Sequence, residues 1–257
     1  MTTVKGLEWT NDAEKYGELL PDYPAELFED LLAKASLTED SASLEIGAGL
    51  GQATLPVALT GCKLTAIDCD ENVLNAFADK FSAYVNVKAK VAKFEEFETT
   101  ENYDLVYSAT TFHEIPEAAG YEKAYALLKS GGTFVRFAGH HFKDIPRVNL
   151  AAALQKLYAI YLPKVGTPRP FREERAKARA ELALKYGFTD VGYKRYFRAV
   201  SFTAQEYVAY LAKDEDHMSM NPEKREKFFG EIVKLINHYG GTITMFDTFD
   251  FEYAKKP

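Results

Sequence analysis

The sequence predicts an α/β protein with a mostly parallel sheet covered by helices on both faces, and three observations predict it. Short apolar strand segments alternate with segments of helical periodicity from about residue 24 to residue 137. A glycine-rich turn, Gly47-Ala48-Gly49-Leu50-Gly51, breaks directly out of the first of those strand segments. An acid, Asp68, ends the second strand segment about twenty residues later. Strands that alternate with helices need crossover connections, and those make a parallel sheet. The turn and the acid both fall at strand ends, the carboxyl edge where ligands of such sheets bind.

The elements follow in order. Pro24 opens a helix through about residue 34, with Leu27, Phe28, Leu31 and Leu32 on one face. The first strand lies near 43–46 and leads through the glycine turn into a helix over about 53–59, in which Pro56 falls early enough to be tolerated. Residues 63–68 form the second strand. Residues 71–82 form a helix, with Val73, Leu74, Phe77 and Phe81 at helical spacing and Asp70 as its N-cap. The third strand, 85–91, is weaker, and the fourth is 103–108. A helix over 116–128 is stopped by Gly131-Gly132, and the fifth strand is 133–137. Two helices follow, over 147–162 and 171–186, with a proline-rich loop at 163–170 between them. A strand at 188–197 precedes helices at 203–213 and 222–239, which are joined by 214–221. The chain closes on a strand over 242–253, in which Ile243, Met245, Phe249, Phe251 and Tyr253 alternate with Thr244, Thr248, Asp250 and Glu252.

Composition narrows the function. At 257 residues, with 47% hydrophobic and 27% charged, the chain can bury a full core as one domain. A net charge of −7 with acids and bases interspersed is the wrong sign for a nucleic-acid surface. Cys62 and Cys69 read as two reduced thiols, and no leader or bilayer-length apolar run is seen, so the expected setting is cytoplasmic and off the membrane.

The turn carries the chemistry. Glycines at every second position let the backbone fold sharply and present its N–H groups without side chains, and a helix beyond it favours an anionic group. A dinucleotide fingerprint requires glycine where Gln52 stands. The pattern present is Glu45-x-Gly47-x-Gly49-x-Gly51, which resembles the first motif of class I S-adenosylmethionine-dependent methyltransferases. Asp68 can accept both hydroxyls of a ribose, which suits NAD and S-adenosylmethionine alike. Further likeness comes from the loop at 94–96, the stretch 103–113, and Leu127-Leu128-Lys129-Ser130-Gly131-Gly132-Thr133. The set is similar to the small-molecule branch labelled methyltransferase type 11.

The resemblance implies a Rossmann-like seven-stranded sheet with an antiparallel last strand and helical lid insertions. It implies a single methyltransferase domain, with its core at about 36–138, 171–200 and 241–257 and lid elements at about 1–35, 139–170 and 201–240. It implies S-adenosyl-L-methionine as cofactor, held by Glu45, Gly47, Ala48, Gly49, Gly51, Asp68, Phe94, Glu95, Ser108 and Tyr16. Glu45 is expected near the methionine ammonium, and Phe94 either packs on the adenine or belongs to the core. The run from Tyr16 to Pro24 is similar to a segment preceding the fold in many small-molecule methyltransferases, except that Leu20 replaces the usual Arg. His113, after the fourth strand, is the candidate base, and His140, His141 and Trp9 are candidate walls of the acceptor pocket. No metal site is expected, because the remaining histidines, His217 and His238, are isolated. The implied activity is in-line methyl transfer to a small-molecule acceptor by a monomer or homodimer. A catalytically inactive S-adenosylmethionine-binding protein and an NAD-dependent oxidoreductase are the alternatives.

Overall fold

The computed structural model describes residues 19, 23–143, 148–163, 172–212 and 215–257. Seven strands form one sheet in the order β3-β2-β1-β4-β5-β7-β6: β1 Ala42–Ile46, β2 Lys63–Asp68, β3 Val87–Val91, β4 Tyr103–Ala109, β5 Leu128–Lys143, β6 Thr189–Thr203 and β7 Thr242–Lys255. β1 runs parallel to β2 and β4, β3 to β2, and β5 to β4, while the last strand is antiparallel. The order reverses at β1, which leaves from the sheet centre with β2 on one side and β4 on the other. That switch point is where the glycine turn sits.

The chain divides into two compact units. The first comprises the chain up to Gly139, Arg172–Tyr196 and Phe249–Pro257; the second comprises His140–Phe171 and Phe197–Thr248. In the first unit, strand residues alternate between two cores. Leu105, Tyr107, Val135 and Phe137 meet α1 (Ala25–Ala35), α2 (Thr54–Ala58) and α3 (Glu71–Lys80) on one face. Leu44, Ile46, Val106 and Phe134 meet Tyr121 and Ala124 of α4 (Glu117–Leu127) on the other. All five residues of β1 are buried, Ser43 and Glu45 among them, as befits a strand at the centre of a parallel sheet. In the second unit, α5 (Val148–Tyr161), α7 (Ala204–Leu211) and α9 (Pro222–His238) enclose a separate core around Leu154, Tyr207, Phe228 and Ile232. Thr203 and Glu206 form a capping box at the start of α7, and Asn221 with Pro222 starts α9.

Three elements depart from the sequence expectation. Gly131-Gly132 does not end a helix. α4 stops at Leu127, Leu128 is already extended (φ −78°, ψ 144°), and the glycines lie inside β5. There Tyr103 pairs with Leu128 but Leu105 pairs with Thr133, so β5 bulges between them. Gly131 takes φ 77°, and a Cβ on Gly132 would meet the Lys129 carbonyl at 2.9 Å. The sixth strand does not end at Phe197: Val200 and Phe202 alternate with Ser201 and Thr203 and carry it on to Thr203. Within the expected linker 214–221, Glu215–Met218 forms a one-turn helix, α8, and α6 spans Glu173–Lys185 before the left-handed Gly187 (φ 90°). No helix among the described residues is long and apolar enough to cross a membrane.

Candidate functional site

The site is built on the turn after β1. The N–H groups of Gly47 and Ala48 both donate to the Ile67 carbonyl, at 2.9 and 3.0 Å, and this fastens the turn to β2. Gly47, Gly49 and Gly51 take φ of 67°, 55° and 86°, a region that costs a side-chain-bearing residue about 1–2 kcal/mol. Two of the three also need glycine for space. A Cβ on Gly47 would lie 2.4 Å from the Thr111 side chain, and one on Gly51 would lie 2.3 Å from the Phe81 ring. Gly49 differs: its Cβ would meet only the far end of Gln52, at 3.3 Å. The crest of the turn is thus clear of protein backbone, and its amide is aimed. Gly49 N–H donates to Asp68 Oδ2 at 2.9 Å, while Asp68 Oδ1 accepts from Asp70 N–H at 3.0 Å. Asp70 itself caps α3, accepting from the N–H groups of Asn72 and Val73.

α2, the helix beyond the turn, has only five residues and no side-chain cap. Its dipole is correspondingly small, so the expected anion site at a helix start has little to rest on. What this turn presents is a carboxylate and an open glycine.

Glu45 lies beneath the turn and is 1% exposed. Thr54 Oγ1 and Tyr107 OH both donate to its Oε2, at 2.7 and 2.9 Å. Burial pushes its carboxyl up to about 7 against the lowering effect of those two hydroxyls, and the nearby charge of Asp68 adds to the rise. Ser108 is also fully buried, and its hydroxyl donates to the Ile46 carbonyl at 3.0 Å, tying β4 to β1. Both residues therefore brace the turn from below.

The ring of Phe94 packs in the second core cluster at 4% exposure, within the 3-10 turn Phe94–Glu96. The Glu95 side chain is exposed. The Ala92 N–H donates to the Asp68 carbonyl at 2.9 Å, which holds the start of this loop beside the acid. His113 is exposed on the 3-10 turn Phe112–Glu114 that follows β4. His140 is half-buried in β5 and belongs to the second unit. Trp9, Tyr16 and the side chain of His141 lie outside the described residues. Among the described residues no three His, Cys, Asp or Glu side chains are grouped to hold a metal ion.

Sequence reasoning missed three contributors. Thr110, at the end of β4, has φ 64°, uncommon for a β-branched residue. Thr111 packs against Gly47, and Tyr23 OH meets Thr110 Oγ1 at 2.9 Å across a separation of 87 residues. The signal that could have found Thr111 is Gly47 itself, since a glycine in a turn often marks a close neighbour. Nothing in the local pattern announces the left-handed threonine.

Residues 44–132 match the family model described as a methyltransferase domain. A Schizosaccharomyces pombe protein described as an uncharacterized methyltransferase is 24% identical over 90% of this chain and 88% of its own length. The ribosomal RNA small subunit methyltransferase A of Thermotoga maritima is 32% identical over 37% of this chain and 36% of its own length. Among solved structures, Haemonchus contortus phosphoethanolamine N-methyltransferase 2 in complex with S-adenosyl-L-methionine aligns with 99% of this chain and 56% of that chain. Its TM-score is 0.54 at 16% identity, a likeness of fold.

Proposed function

We propose that this chain, a class I methyltransferase by the domain that residues 44–132 form and by its sheet order, transfers the methyl group of S-adenosyl-L-methionine to a small-molecule acceptor. The observation that carries the reading is the hydrogen bond between Gly49 and Asp68 at the switch point of the sheet. It joins a glycine crest that a ligand can approach closely to an acid suited to paired hydroxyls. Each Asp68 oxygen takes one backbone N–H and keeps a further lone-pair site, so the carboxylate can accept two ribose hydroxyls without releasing the turn.

S-adenosyl-L-methionine, when bound, supplies a methyl group already activated on a sulfonium. The chain's own part is to bind, orient and exclude water, and positioning of this kind accounts for several kcal/mol of barrier lowering. Gly47, Ala48, Gly49 and Gly51 form the cradle, and Asp68 fixes the ribose. Glu45, beneath the cradle, is the buried acid for the ammonium end, and a cation bound there would draw its carboxyl, raised to about 7 by burial, toward the ionised form. With the Phe94 ring in the core, backbone groups of the 94–96 turn are left to read the adenine edge. His113 is exposed on the loop after β4, and it is the proton acceptor in this reading when the acceptor is a hydroxyl or an amine. The net charge of −7 favours a small molecule over a phosphate backbone.

The test is transfer of a tritiated methyl group into pools of small molecules and, separately, into RNA. Label in the small-molecule pool supports the reading. Label only in RNA overturns the acceptor class, and tight cofactor binding with no transfer to any pool makes the chain a binding protein.

A further inference from the structure

We infer that Tyr23 is a positioning residue for the glycine turn: its hydroxyl holds Thr110 in the left-handed conformation that seats Thr111 against Gly47. This rests on the reading of that turn as the cofactor cradle, and it adds to the cradle a residue from ahead of α1.

The Tyr23 ring has a fixed place. It meets Phe137, Phe249 and Phe28 edge-on at centroid distances of 4.9, 5.6 and 6.3 Å. Those three rings come from β5, β7 and α1, so the hydroxyl is carried by a side chain with little rotamer freedom. It lies 2.9 Å from Thr110 Oγ1. Thr110 has a second tie in its own N–H, which donates to the Phe137 carbonyl at 2.7 Å. Phe137 is also the ring closest to Tyr23 among the described residues, so both restraints on Thr110 issue from one aromatic cluster.

A threonine at φ 64° persists only where its surroundings over-determine it. The consequence of the bend is the position of the next residue. Thr111 puts its Cβ, Cγ2 and Oγ1 within 2.5 Å of where a Gly47 Cβ would stand, and its hydroxyl reaches toward the Gly47 carbonyl at 3.4 Å. The turn is thereby held from two sides, by Asp68 at Gly49 and by Thr111 at Gly47. An extended Thr110 would carry Thr111 away and leave Gly47, among the described residues, with the hydrogen bond its N–H donates to the Ile67 carbonyl.

The experiment is a double-mutant cycle of Tyr23→Phe and Thr110→Gly with two readouts. Phenylalanine keeps the ring contacts, and glycine adopts φ above zero without strain. The first readout, in the ligand-free protein, is amide hydrogen exchange at Gly47, Ala48 and Gly49. The second is the calorimetric affinity for S-adenosylhomocysteine. Tyr23→Phe alone is expected to speed exchange and weaken affinity by about threefold to tenfold, the scale of one hydrogen bond. In the Thr110→Gly background the same change is expected to act by less than twofold in both readouts. Unchanged exchange in Tyr23→Phe, or an equal effect in both backgrounds, overturns the inference; the second result would mean that Tyr23 acts on something other than Thr110. A wild-type protein that fails to bind the nucleoside while Tyr23→Phe still speeds exchange would refute the cofactor reading and leave the positioning role standing.

Discussion

Asp68 accepts the amide of Gly49 at 2.9 Å, although the two residues lie on different sides of a strand-helix-strand unit. The contact follows from parallel pairing of β1 with β2, in which Ile46 stands opposite Ile67, so that both chains end at the same level of the sheet. The residue one step beyond Ile67 is then within reach of the turn that follows Ile46. A carboxylate there fastens the crest of the turn and still faces outward, because Asp68 is only half-buried. In the proposed reading, fastening and ligand recognition are thus combined in one side chain.

The glycines of the turn are predicted to separate folding from binding. Gly47→Ala forces a Cβ to within 2.4 Å of Thr111 and requires alanine at φ 67°. A stability loss of about 2–4 kcal/mol is expected in urea denaturation, with ligand affinity falling in parallel. Gly49→Ala meets only the flexible end of Gln52 and carries the backbone strain alone, about 1–2 kcal/mol. It is expected to stay folded and yet lose cofactor affinity at least tenfold, because in the proposed reading its methyl group stands where the ligand approaches. Equal loss of affinity per unit of stability in the two variants would contradict this division.

Glu45 sets a pH dependence. Its folded-state carboxyl titrates near 7, above the usual carboxylate range of about 4.3–4.5, so the folded state holds a proton that the unfolded chain has released. Stability from this group is full below the unfolded value and declines as pH rises through 7, by about 3 kcal/mol in all. Glu45→Gln keeps an acceptor for Thr54 and Tyr107 and removes the titration. The variant is expected to match the wild type near pH 4.5 and to exceed its stability at pH 8. Parallel stability curves from pH 4.5 to 8 would show that the group does not titrate in this range.

The polar side of β7 is a buried ionic network, and Arg179 of α6 is its centre. Its Nε donates to Glu252 Oε1 at 2.6 Å and its Nη2 pairs with Asp250, while Arg136 Nε lies 3.3 Å from Glu252 Oε2. Asp250 also accepts the Ala138 N–H at 3.0 Å. Burial nonetheless raises the Glu252 carboxyl, against the pull of Arg136 and Arg179. Arg179→Met should cost about 3 kcal/mol, since it leaves buried carboxylates short of a partner. The raised Glu252 carboxyl takes up a proton more readily in the folded state, so the deficit should shrink from pH 8 to pH 5 in urea melts. A deficit that is the same at both pH values would mean that the carboxylates are not the cause.

These elements also show what was legible in the chain. β2 is legible to the residue because Leu64, Ala66 and Ile67 bring apolar side chains to a short segment ended by an acid, and Asp70 is legible as the cap of α3 because an Asp before a helix accepts its first free N–H groups. The glycine turn and the place of Asp68 at the end of β2 are legible because those residue types are tied to the backbone conformation and strand end where they stand. The alternation in β7 is legible in the sequence, but the burial of Asp250 and Glu252 by Arg179 and Arg136 is not. Those partners lie far away in sequence, and no local periodicity reports them. Gly131-Gly132 misled for a related reason: a glycine pair after a helical run suits a helix stop, and only the neighbouring strand and Lys256 make it a bulge. Glu45 was placed toward the ligand by resemblance, and its two hydroxyl partners became visible only once β4 and α2 were packed against it.

His113 separates acceptor classes. It is exposed, and it belongs to the loop after β4 rather than to the cradle. His113→Ala is therefore expected to leave S-adenosylhomocysteine affinity within about twofold of wild type. With a hydroxyl or amine acceptor, turnover should fall about a hundredfold or more, as for loss of a general base. With a carboxylate acceptor it should scarcely change. A large loss of cofactor affinity in this variant would remove His113 from the acceptor side.

The most direct test is calorimetric titration of the wild-type protein and of Asp68→Ala with S-adenosyl-L-methionine and with S-adenosylhomocysteine. Micromolar binding of both compounds is expected for the wild type and at least tenfold weaker binding for Asp68→Ala, which loses a charge-assisted acceptor and the latch on Gly49 together. A folded wild-type protein that binds neither compound, or an Asp68→Ala variant that binds both as well as the wild type does, would contradict it.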